Sequence, residues 1–334
     1  MENSASRPDT VNKLRSGADA AFAMLAGMQL DVFTPLKDGP LTTEQIADAI
    51  GVGPTRLQLL LYSLVAAGLL TEQDGRFSNT PEANQFLVRG APSYMGNRHA
   101  AIAMRWTASF KTAESIRRGV PQAKLDFSNS PAEELETFLR NINANTIPAA
   151  RALLNKYDFS SAKTLVDVGS GGGGLAITIT KACPYIKATA IDLPQVAPIA
   201  QKIVEEEGAT ERVKVIAANV VSGPVPGSYD VAVLRALLQV LSPNDARLAV
   251  KHIGASVNPG GKIYIIGQIL DDSRTSPPEA VGFNLAFIST YDAGESYTEK
   301  EHRDWLSEAG FVDIERAAFL VGDGSGLMVA RKRE

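Results

Sequence analysis

The sequence has few of the residues that build disulfides, metal sites and membrane spans. Its 334 residues include one cysteine, Cys183, and three histidines. A single cysteine excludes an internal disulfide and fits a reducing compartment. The histidines show no metal-ligand spacing, so we predict no metal. The longest apolar run, LQLLLYSLVAAGLL, is too short to cross a bilayer, and MENSASRPDT lacks the apolar stretch of a signal peptide. We therefore expect a cytoplasmic protein that does not bind membranes.

The chain also has no strong excess of charge. Its net charge is −4, with 45% hydrophobic and 21% charged residues, which is typical of a globular protein with a full core. A weakly acidic chain offers no broad electrostatic grip on nucleic acid, so we expect no nucleic-acid partner. Its length favours two domains.

The first hundred residues have a winged-helix pattern. Thr42 or Thr43 is a candidate cap for a short helix that Gly51 ends, and Pro54 opens a second helix. The alternating segment LLTEQDGRFSNT then predicts a hairpin around Asp74-Gly75.

Two functions compete for this module. In one, residues 54–67 form a DNA-recognition helix; in the other, the module packs and dimerises. The segment PTRLQLLLYSLVAAG offers a DNA groove only Arg56 and Gln58, so we favour packing. Its apolar helices need a partner surface, which predicts a homodimer.

The rest of the chain divides into a helical linker and an α/β domain. We predict domains at 1–100, 101–155 and 156–334. In the linker, Pro131 starts a helix with Ser130 as its cap, and we expect this segment to line a cleft. From Lys163 onward, TLVDVGS, KATAIDL, RVKVIAA, YDVAVLR and GKIYIIGQIL read as buried strands separated by helices. This alternation predicts a doubly wound, mostly parallel sheet.

Polar groups at the ends of the first three strands predict a cofactor site. The first strand runs into the turn GSGGGG, whose glycines let a ligand approach the backbone. Asp192 ends the second strand and can accept hydrogen bonds from ribose hydroxyls, and Asn219 after the third can face an adenine edge. Asp167, just before the glycines, would repel a pyrophosphate but attract an ammonium group. Ribose, adenine and a cationic tail together indicate S-adenosylmethionine.

The chain resembles the two-domain small-molecule O-methyltransferases, such as the caffeate and acetylserotonin enzymes. The resemblance rests on LVDVGSGGGG, AIDLPQV, LLQVLSPNDA, NPGGKIYIIGQIL and the terminal EAGF. It implies an α/β, Rossmann-like class I methyltransferase domain after an N-terminal helical, winged-helix-like dimerisation domain. It also places expected cofactor residues at Gly169, Gly171, Asp192, Asn219, Arg235 and Thr146, and puts Phe138 and Ile142 on the helix that closes over the cofactor.

The resemblance breaks down at the catalytic positions. Gln239, in LLQVLSPND, occupies the place of the family's general-base histidine. The two acidic residues that orient that histidine correspond to Gly267 and Ser296, with Glu295 one residue away from the second. Glutamine cannot take a proton from a neutral phenol, whose pKa is about 10. We therefore interpret Gln239 as a substrate-positioning residue.

Three kinds of function stay open for a site without a base. The first is S-methylation of a thioether, and the chain resembles bacterial S-methyltransferases of dimethylsulfoniopropionate synthesis, which convert 4-methylthio-2-hydroxybutyrate to a sulfonium. The second is O- or C-methylation of a carboxylate, enol or hydroxyl in secondary metabolism. The third is a cofactor-binding family member that does not transfer methyl groups, or a winged-helix regulator. The expected substrate-binding residues are Arg105, Trp106, Phe138, Ile142, Asn143, Tyr291 and Tyr297.

Overall fold

The chain folds into two compact units. The computed structural model describes residues 7–124, 130–319 and 325–334. The first unit ends at Met104 and the second begins at Arg105. The predicted linker, 101–155, therefore does not stand apart, because all but its first four residues belong to the second unit.

The first unit is a small helical domain with a three-stranded sheet. Its elements are α1 (Asp9–Leu30), β1 (Leu41–Thr42), α2 (Thr43–Ile50), α3 (Pro54–Ala66), β2 (Leu70–Gln73), β3 (Arg76–Asn79), α4 (Pro81–Phe86) and α5 (His99–Ser109), which contains the unit boundary. The antiparallel strand order is β1-β3-β2, so β2 and β3 form the predicted wing.

Local sequence explains these elements. Thr42 accepts from the N–H of Gln45, whose side chain accepts from the N–H of Thr42, so this capping box starts α2. Gly51 ends α2 in the left-handed conformation, as its position predicts. Asp74 and Gly75 both have positive φ, at 53° and 76°, which is the geometry of the predicted tight hairpin.

The second unit carries the larger sheet. Its further helices are α6 (Thr112–Arg118), α7 (Ala132–Lys156), α8 (Gly174–Ala182), α9 (Ala197–Glu206), α10 (Pro243–Ser256), α11 (Pro278–Thr290) and α12 (Glu299–Glu308). Its strands are β4 (Thr164–Val168), β5 (Lys187–Asp192), β6 (Val213–Ala217), β7 (Tyr229–Arg235), β8 (Val257–Leu270), β9 (Tyr297–Thr298), β10 (Phe311–Ala318) and β11 (Ser325–Lys332).

The strand order is β10-β11-β8-β7-β4-β5-β6, with β9 pairing against β8. Strands β4 to β8 are parallel, and β10 and β11 add an antiparallel edge. The predicted α/β fold and its five central strands are confirmed. The order reverses at β4, which lies between β5 and β7, so the crevice at the carboxyl ends of these strands is where a ligand is expected.

The start of α7 differs from the prediction. Pro131 is itself the N-cap, with no side-chain hydrogen bond at the cap, and the helix begins at Ala132. Ser130 therefore does not cap α7. The cause is that Pro131 has extended geometry, with ψ at 141°, so the turn starts one residue later than the proline rule suggested.

One carboxylate joins three strands at the end of the sheet away from the crevice. Oδ2 of Asp230 accepts from the backbone N–H groups of Lys163 and Thr164, at 2.8 and 3.0 Å. Its Oδ1 accepts from Nδ2 of Asn258 at 2.9 Å. Burial opposes its charge, but these donors prevail and hold the pKa of Asp230 below its usual value.

We expect Asp230→Ala to lower the free energy of unfolding by about 2 kcal/mol at pH 7, because the substitution removes a charged acceptor and leaves its donors without that partner. Asp230→Asn should lose about half of that. Since the folded pKa is lowered, the contribution should fade as pH falls toward 3. Chemical denaturation at pH 7 and pH 3 measures both effects, and equal stability of all three proteins at pH 7 would contradict this role.

Candidate active site

The glycine-rich turn lies at the carboxyl end of β4, the central strand. Gly169, Gly171 and Gly173 have φ of 69°, 55° and 73°, values that only glycine adopts at low cost. The N–H groups of Gly169 and Ser170 donate to the carbonyl of Ile191 on the neighbouring strand, at 2.9 and 3.1 Å. The turn is therefore held in place by the sheet before any ligand binds.

Helix α7 lies directly on this turn. A Cβ at Gly172 would come within 2.7 Å of Nδ2 of Asn143, and one at Gly174 within 2.6 Å of its Oδ1. A Cβ at Gly171 would lie 3.1 Å from the side chain of Ile142. These glycines make room for α7 as well as for a ligand. Asn143, predicted to bind substrate, thus lies on the cofactor turn instead, because one helical step separates it from Ile142.

Two polar atoms at the turn have no hydrogen-bond partner among the described residues. They are Oδ1 of Asn143 and Oγ of Ser170, and both are shielded from solvent. Buried polar atoms are usually paired, so unpaired ones beside a glycine turn indicate a site built for a polar ligand. Sequence reasoning missed Ser170, although it stands inside the glycine motif.

Asp192 reaches the same turn from the end of β5. Its Oδ2 accepts from the N–H of Gly171 at 2.7 Å and its Oδ1 from the N–H of Leu193 at 2.8 Å. Burial raises the pKa of Asp192 to about 6, although both N–H groups favour the charged form. Its remaining lone pairs can accept from a diol.

Asp167 is the deepest charged group of the site, at 2% exposed. Burial raises its pKa to about 7; the N–H of Ala176, 3.2 Å from Oδ2, and Arg235 lower it, whereas Asp192 raises it further. Two buried carboxylates side by side repel each other, and a cation placed between them would lower both pKa values. Arg235, partly buried at the end of β7, supplies part of that positive charge.

The other residues predicted for the cofactor site contact their own loop, their own helix or the core. Asn219 is exposed, and its Oδ1 accepts from the N–H of Val221 at 3.0 Å in the loop after β6. Thr146 is buried on α7, where its hydroxyl donates to the carbonyl of Ile142 at 3.1 Å. Phe138 packs from α7 against the core on that side of the sheet.

Gln239 sits in a short helical turn after β7 and is 8% exposed. The N–H of Ala236 donates to Ile266 at 2.8 Å, and beyond that point β7 leaves β8. The next free donor on β8 is the N–H of Gln268, and Oε1 of Gln239 accepts from it at 2.8 Å. Oε1 of Gln239 thus takes the place that a backbone carbonyl of a neighbouring strand would have, and the N–H of Gln268 is its donor.

The two positions expected to support a catalytic base are filled by other arrangements. A Cβ at Gly267 would lie 2.7 Å from Oε1 of Gln239, so Gln239 occupies the space that a side chain at 267 would need. Ser296 is buried, and its hydroxyl donates to the carbonyl of Ala280 at 3.0 Å. Glu295 is paired with Arg274, whose Nη1 lies 3.1 Å from its carboxylate, and this ion pair is exposed.

His302 lies on a small cavity next to Gln239 and was not predicted to be there. Gln239, Gln268, Tyr297 and His302 are among the residues that line it. Nδ1 of His302 lies 2.8 Å from the carbonyl of Thr298, so this nitrogen carries the proton. Burial lowers the pKa of His302, which makes it a poor base. None of the sequence motifs quoted above includes His302, so the sequence did not predict its position beside Gln239.

Tyr297 is placed differently from its prediction as a cleft residue. It is fully buried, its hydroxyl donates to the carbonyl of Leu241 at 2.5 Å, and its ring packs edge-on against Trp305. Burial raises its pKa. Because its polar end is already bonded, Tyr297 supports the loop that carries Gln239 and does not face a substrate.

The remaining predicted substrate residues lie on α5 and just after α11. The guanidinium of Arg105 lies 4.9 Å from the ring centre of Phe283, and burial lowers its pKa. Tyr291 follows α11 and packs against Phe287, and burial raises its pKa to about 12. Trp106 is partly buried beside Arg105.

The described ranges, 7–124, 130–319 and 325–334, hold neither a single membrane-spanning helix nor a cluster of metal ligands. There, no single helix is long and apolar enough to span a membrane, and only α2 with α3, bent by 109°, meets that test as a pair. Within the same ranges, no three His, Cys, Asp or Glu residues lie close enough to hold a metal ion.

Comparison with known proteins identifies the family. Residues 117–312 match the O-methyltransferase domain, and residues 13–89 match the O-methyltransferase dimerisation domain. The chain is 28% identical to the tetracenomycin polyketide synthesis 8-O-methyl transferase TcmO of Streptomyces glaucescens, over 97% of both proteins. It is 26% identical to the 3-hydroxy-5-methyl-1-naphthoate 3-O-methyltransferase of Streptomyces sahachiroi, over 97% of this chain and 95% of that one.

Solved structures agree on the fold. Human N-acetylserotonin methyltransferase in complex with SAM is 22% identical and superimposes with a TM-score of 0.78 over 100% of both chains. The broader resemblance seen in the sequence is thereby confirmed, whereas the narrower one to S-methyltransferases stays a prediction. The protein is a methyltransferase that belongs to the O-methyltransferase family, with its dimerisation domain at the N-terminus.

Proposed function

We propose that this enzyme transfers a methyl group from S-adenosylmethionine to a small molecule whose reacting atom needs no protein base. The observation that carries the proposal is the bond from the N–H of Gln268 to Oε1 of Gln239. It occupies one lone pair of the side-chain oxygen at the catalytic position and turns that oxygen toward β8, so Gln239 offers a substrate mainly the N–H donors of its amide, and an amide is not a base in any orientation. A donor can hold a substrate oxygen but cannot remove its proton.

The site fits the cofactor. Asp192 can accept from the ribose hydroxyls, and Asp167 places negative charge where the cationic amino-acid end is expected. Asn143 and Ser170 offer polar atoms that otherwise lack partners. Asn219 would face the adenine, where a neutral amide keeps an acceptor for the adenine amine. When bound, S-adenosylmethionine supplies an electrophilic methyl group on a sulfonium.

The chain's own contribution is then positioning and exclusion of water. Holding two reactants in line can lower a barrier by up to about 7–11 kcal/mol without any proton transfer. Gln239, tied to β8, would fix one end of the acceptor molecule. A homodimer formed through the N-terminal domain is proposed as the working assembly.

The acceptor we favour is an oxygen that arrives ionised, such as an enol, a carboxylate or an acidic phenol. Its support is the family and the two relatives described above, which are named as O-methyltransferases. A neutral phenol of pKa about 10 would be mostly protonated at pH 7 and is a poor fit. An acidified oxygen agrees with both the family and a catalytic position without a base.

A second candidate is the thioether sulfur of a small acid, with 4-methylthio-2-hydroxybutyrate as the specific case. The observation that favours it is again Gln239, since a thioether carries a lone pair and no proton. Carbon methylation of an activated ring and a non-methylating, cofactor-binding role are the remaining alternatives.

A methyl-transfer assay read by mass spectrometry separates these candidates. The panel is 3-hydroxy-2-naphthoate, 2-naphthoate, 4-methylthio-2-hydroxybutyrate and 4-methylthiobutyrate, each with S-adenosylmethionine. Methylation of a carboxylate oxygen supports the favoured acceptor, and a sulfonium product supports the second; methylation of the hydroxyl of 3-hydroxy-2-naphthoate, which is neutral at pH 7, would contradict a site without a base. Product from none of the four, with cofactor binding intact, would favour the non-methylating role.

Variants of Gln239 test the mechanism. We expect Gln239→His not to raise kcat, because the space beside it holds Gly267 and no orienting carboxylate. Gln239→Glu should lower kcat/KM about 10- to 100-fold, since it keeps an acceptor for Gln268 but loses the donors and adds a charge. A large gain in kcat for Gln239→His would contradict a base-free mechanism.

The pH–rate profile gives an independent test. At saturating cofactor we expect kcat for an ionised acceptor or a thioether to change less than about threefold between pH 6.5 and 9, because no protein group has to take a proton from the acceptor. His302→Gln should leave this profile unchanged. A rise through one pKa that His302→Gln abolishes would instead make His302 the base.

Cofactor binding should depend on pH through the buried carboxylates. Burial raises the pKa of Asp167 to about 7, so below that pH its carboxyl becomes neutral and cannot pair with an ammonium. We therefore expect the Kd of S-adenosylhomocysteine to rise about 10-fold from pH 8 to pH 6. Calorimetry measures it, and Asp167→Asn should bind weakly with little pH dependence. A wild-type Kd independent of pH would contradict this assignment.

A further inference from the structure

The side chain of Gln268 has no hydrogen-bond partner among the described residues, although it is only 6% exposed. Its Oε1 is shielded from solvent and unpaired. The backbone N–H of the same residue is used, because it donates to Gln239. The unpaired carboxamide therefore sits on the strand position that holds the catalytic-site glutamine.

Two other amides of the second unit are paired. On the same strand, Asn258 donates to Asp230 at 2.9 Å. On α11, Oδ1 of Asn284 accepts from the N–H of Ser296 at 2.7 Å. A buried amide without a partner loses its hydration and gains nothing from the protein, so it is expected to have a partner of another kind. Asn143, the other unpaired carboxamide described above, lies on the cofactor turn.

The position of Gln268 narrows the identity of that partner. Side chains alternate along a strand, so Gln268 shares a sheet face with Tyr264 and Ile266, which pack in the core on the α7 side. Gln268 lies near the carboxyl end of β8, beyond the point where β7 leaves, and it lines the same small cavity as Gln239. This is the end of the sheet where a ligand is expected.

We propose that Gln268 is a substrate-recognition residue whose carboxamide binds a hydroxyl or carboxyl group of the methyl acceptor, close to the group held by Gln239. This inference rests on the proposed function. An amide carries both donors and an acceptor, so it matches a group that also does both, such as a hydroxyl or a carboxyl. A site that bonds such a group rejects analogues that lack it, because its own polar atoms then stay unpaired.

The test compares Gln268→Met with Asn258→Leu, the matched loss of a paired amide on the same strand. We expect Gln268→Met to melt at or up to about 4 °C above wild type, because no bond is lost. Asn258→Leu should melt lower. A fall in the Tm of Gln268→Met as large as that of Asn258→Leu would overturn the proposal, and this readout needs no substrate.

Kinetics supply the second readout, with the acceptor pairs 3-hydroxy-2-naphthoate and 2-naphthoate, and 4-methylthio-2-hydroxybutyrate and 4-methylthiobutyrate; the members of each pair share the reacting group and differ by one hydroxyl. For the pair that the wild type methylates, Gln268→Met should lower kcat/KM about 10- to 100-fold for the first member and less than threefold for the second. Equal effects on both members would overturn the role of Gln268. If the wild type is inactive on all four compounds, the proposed acceptors are wrong. A fall in the Tm of Gln268→Met as large as that of Asn258→Leu would still overturn the role of Gln268.

Discussion

The active site depends on one backbone donor, the N–H of Gln268, which is left without a strand partner where β7 departs from β8. Oε1 of Gln239 supplies that partner at 2.8 Å and is itself almost buried. The bond fixes the direction of the amide, so mainly its donors are available. A histidine at 239 would lose this bond or turn its acceptor to the same task. Under the proposed function, the absence of a base would therefore involve the hydrogen bonding of the sheet as well as the change of one side chain.

The cofactor turn has an excess of negative charge, because burial disfavours the ionised forms of its two carboxylates. Asp167 and Asp192 both have raised pKa values, at about 7 and 6, mainly because of burial. For a carboxyl whose folded pKa is raised, stability falls as pH rises through that pKa. A bound cation reverses this cost, so the unliganded fold is strained electrostatically in favour of its ligand. The same reasoning explains why a pyrophosphate would be a poor occupant.

Much of the fold could be predicted from the sequence because local chemistry decides it. Local signals act within a few residues, as at the cap on Thr42, at Pro54 and at the Asp74-Gly75 turn. The buried strands can be recognised from their apolar composition. The turn glycines and Asp192 could likewise be found from spacing. Asn143, Tyr297 and His302 could not be placed, because their roles depend on which face of a helix or loop meets a distant element. No local pattern carries that information.

Gln239, in the turn after β7, and Gln268, near the end of β8, would under the proposed function change the chemistry of a family scaffold without changing its shape. Gln239 is satisfied on one side and open on the other, whereas the carboxamide of Gln268 has no partner from the described chain. An enzyme that relies on proton transfer gains rate from a tuned pKa, but one that relies on positioning needs polar contacts that stay unpaired until the substrate arrives. Unpaired buried amides cost stability in the free protein and are retained only where binding offsets that cost. Their position beside an acceptor site without a base is therefore what a positioning mechanism predicts.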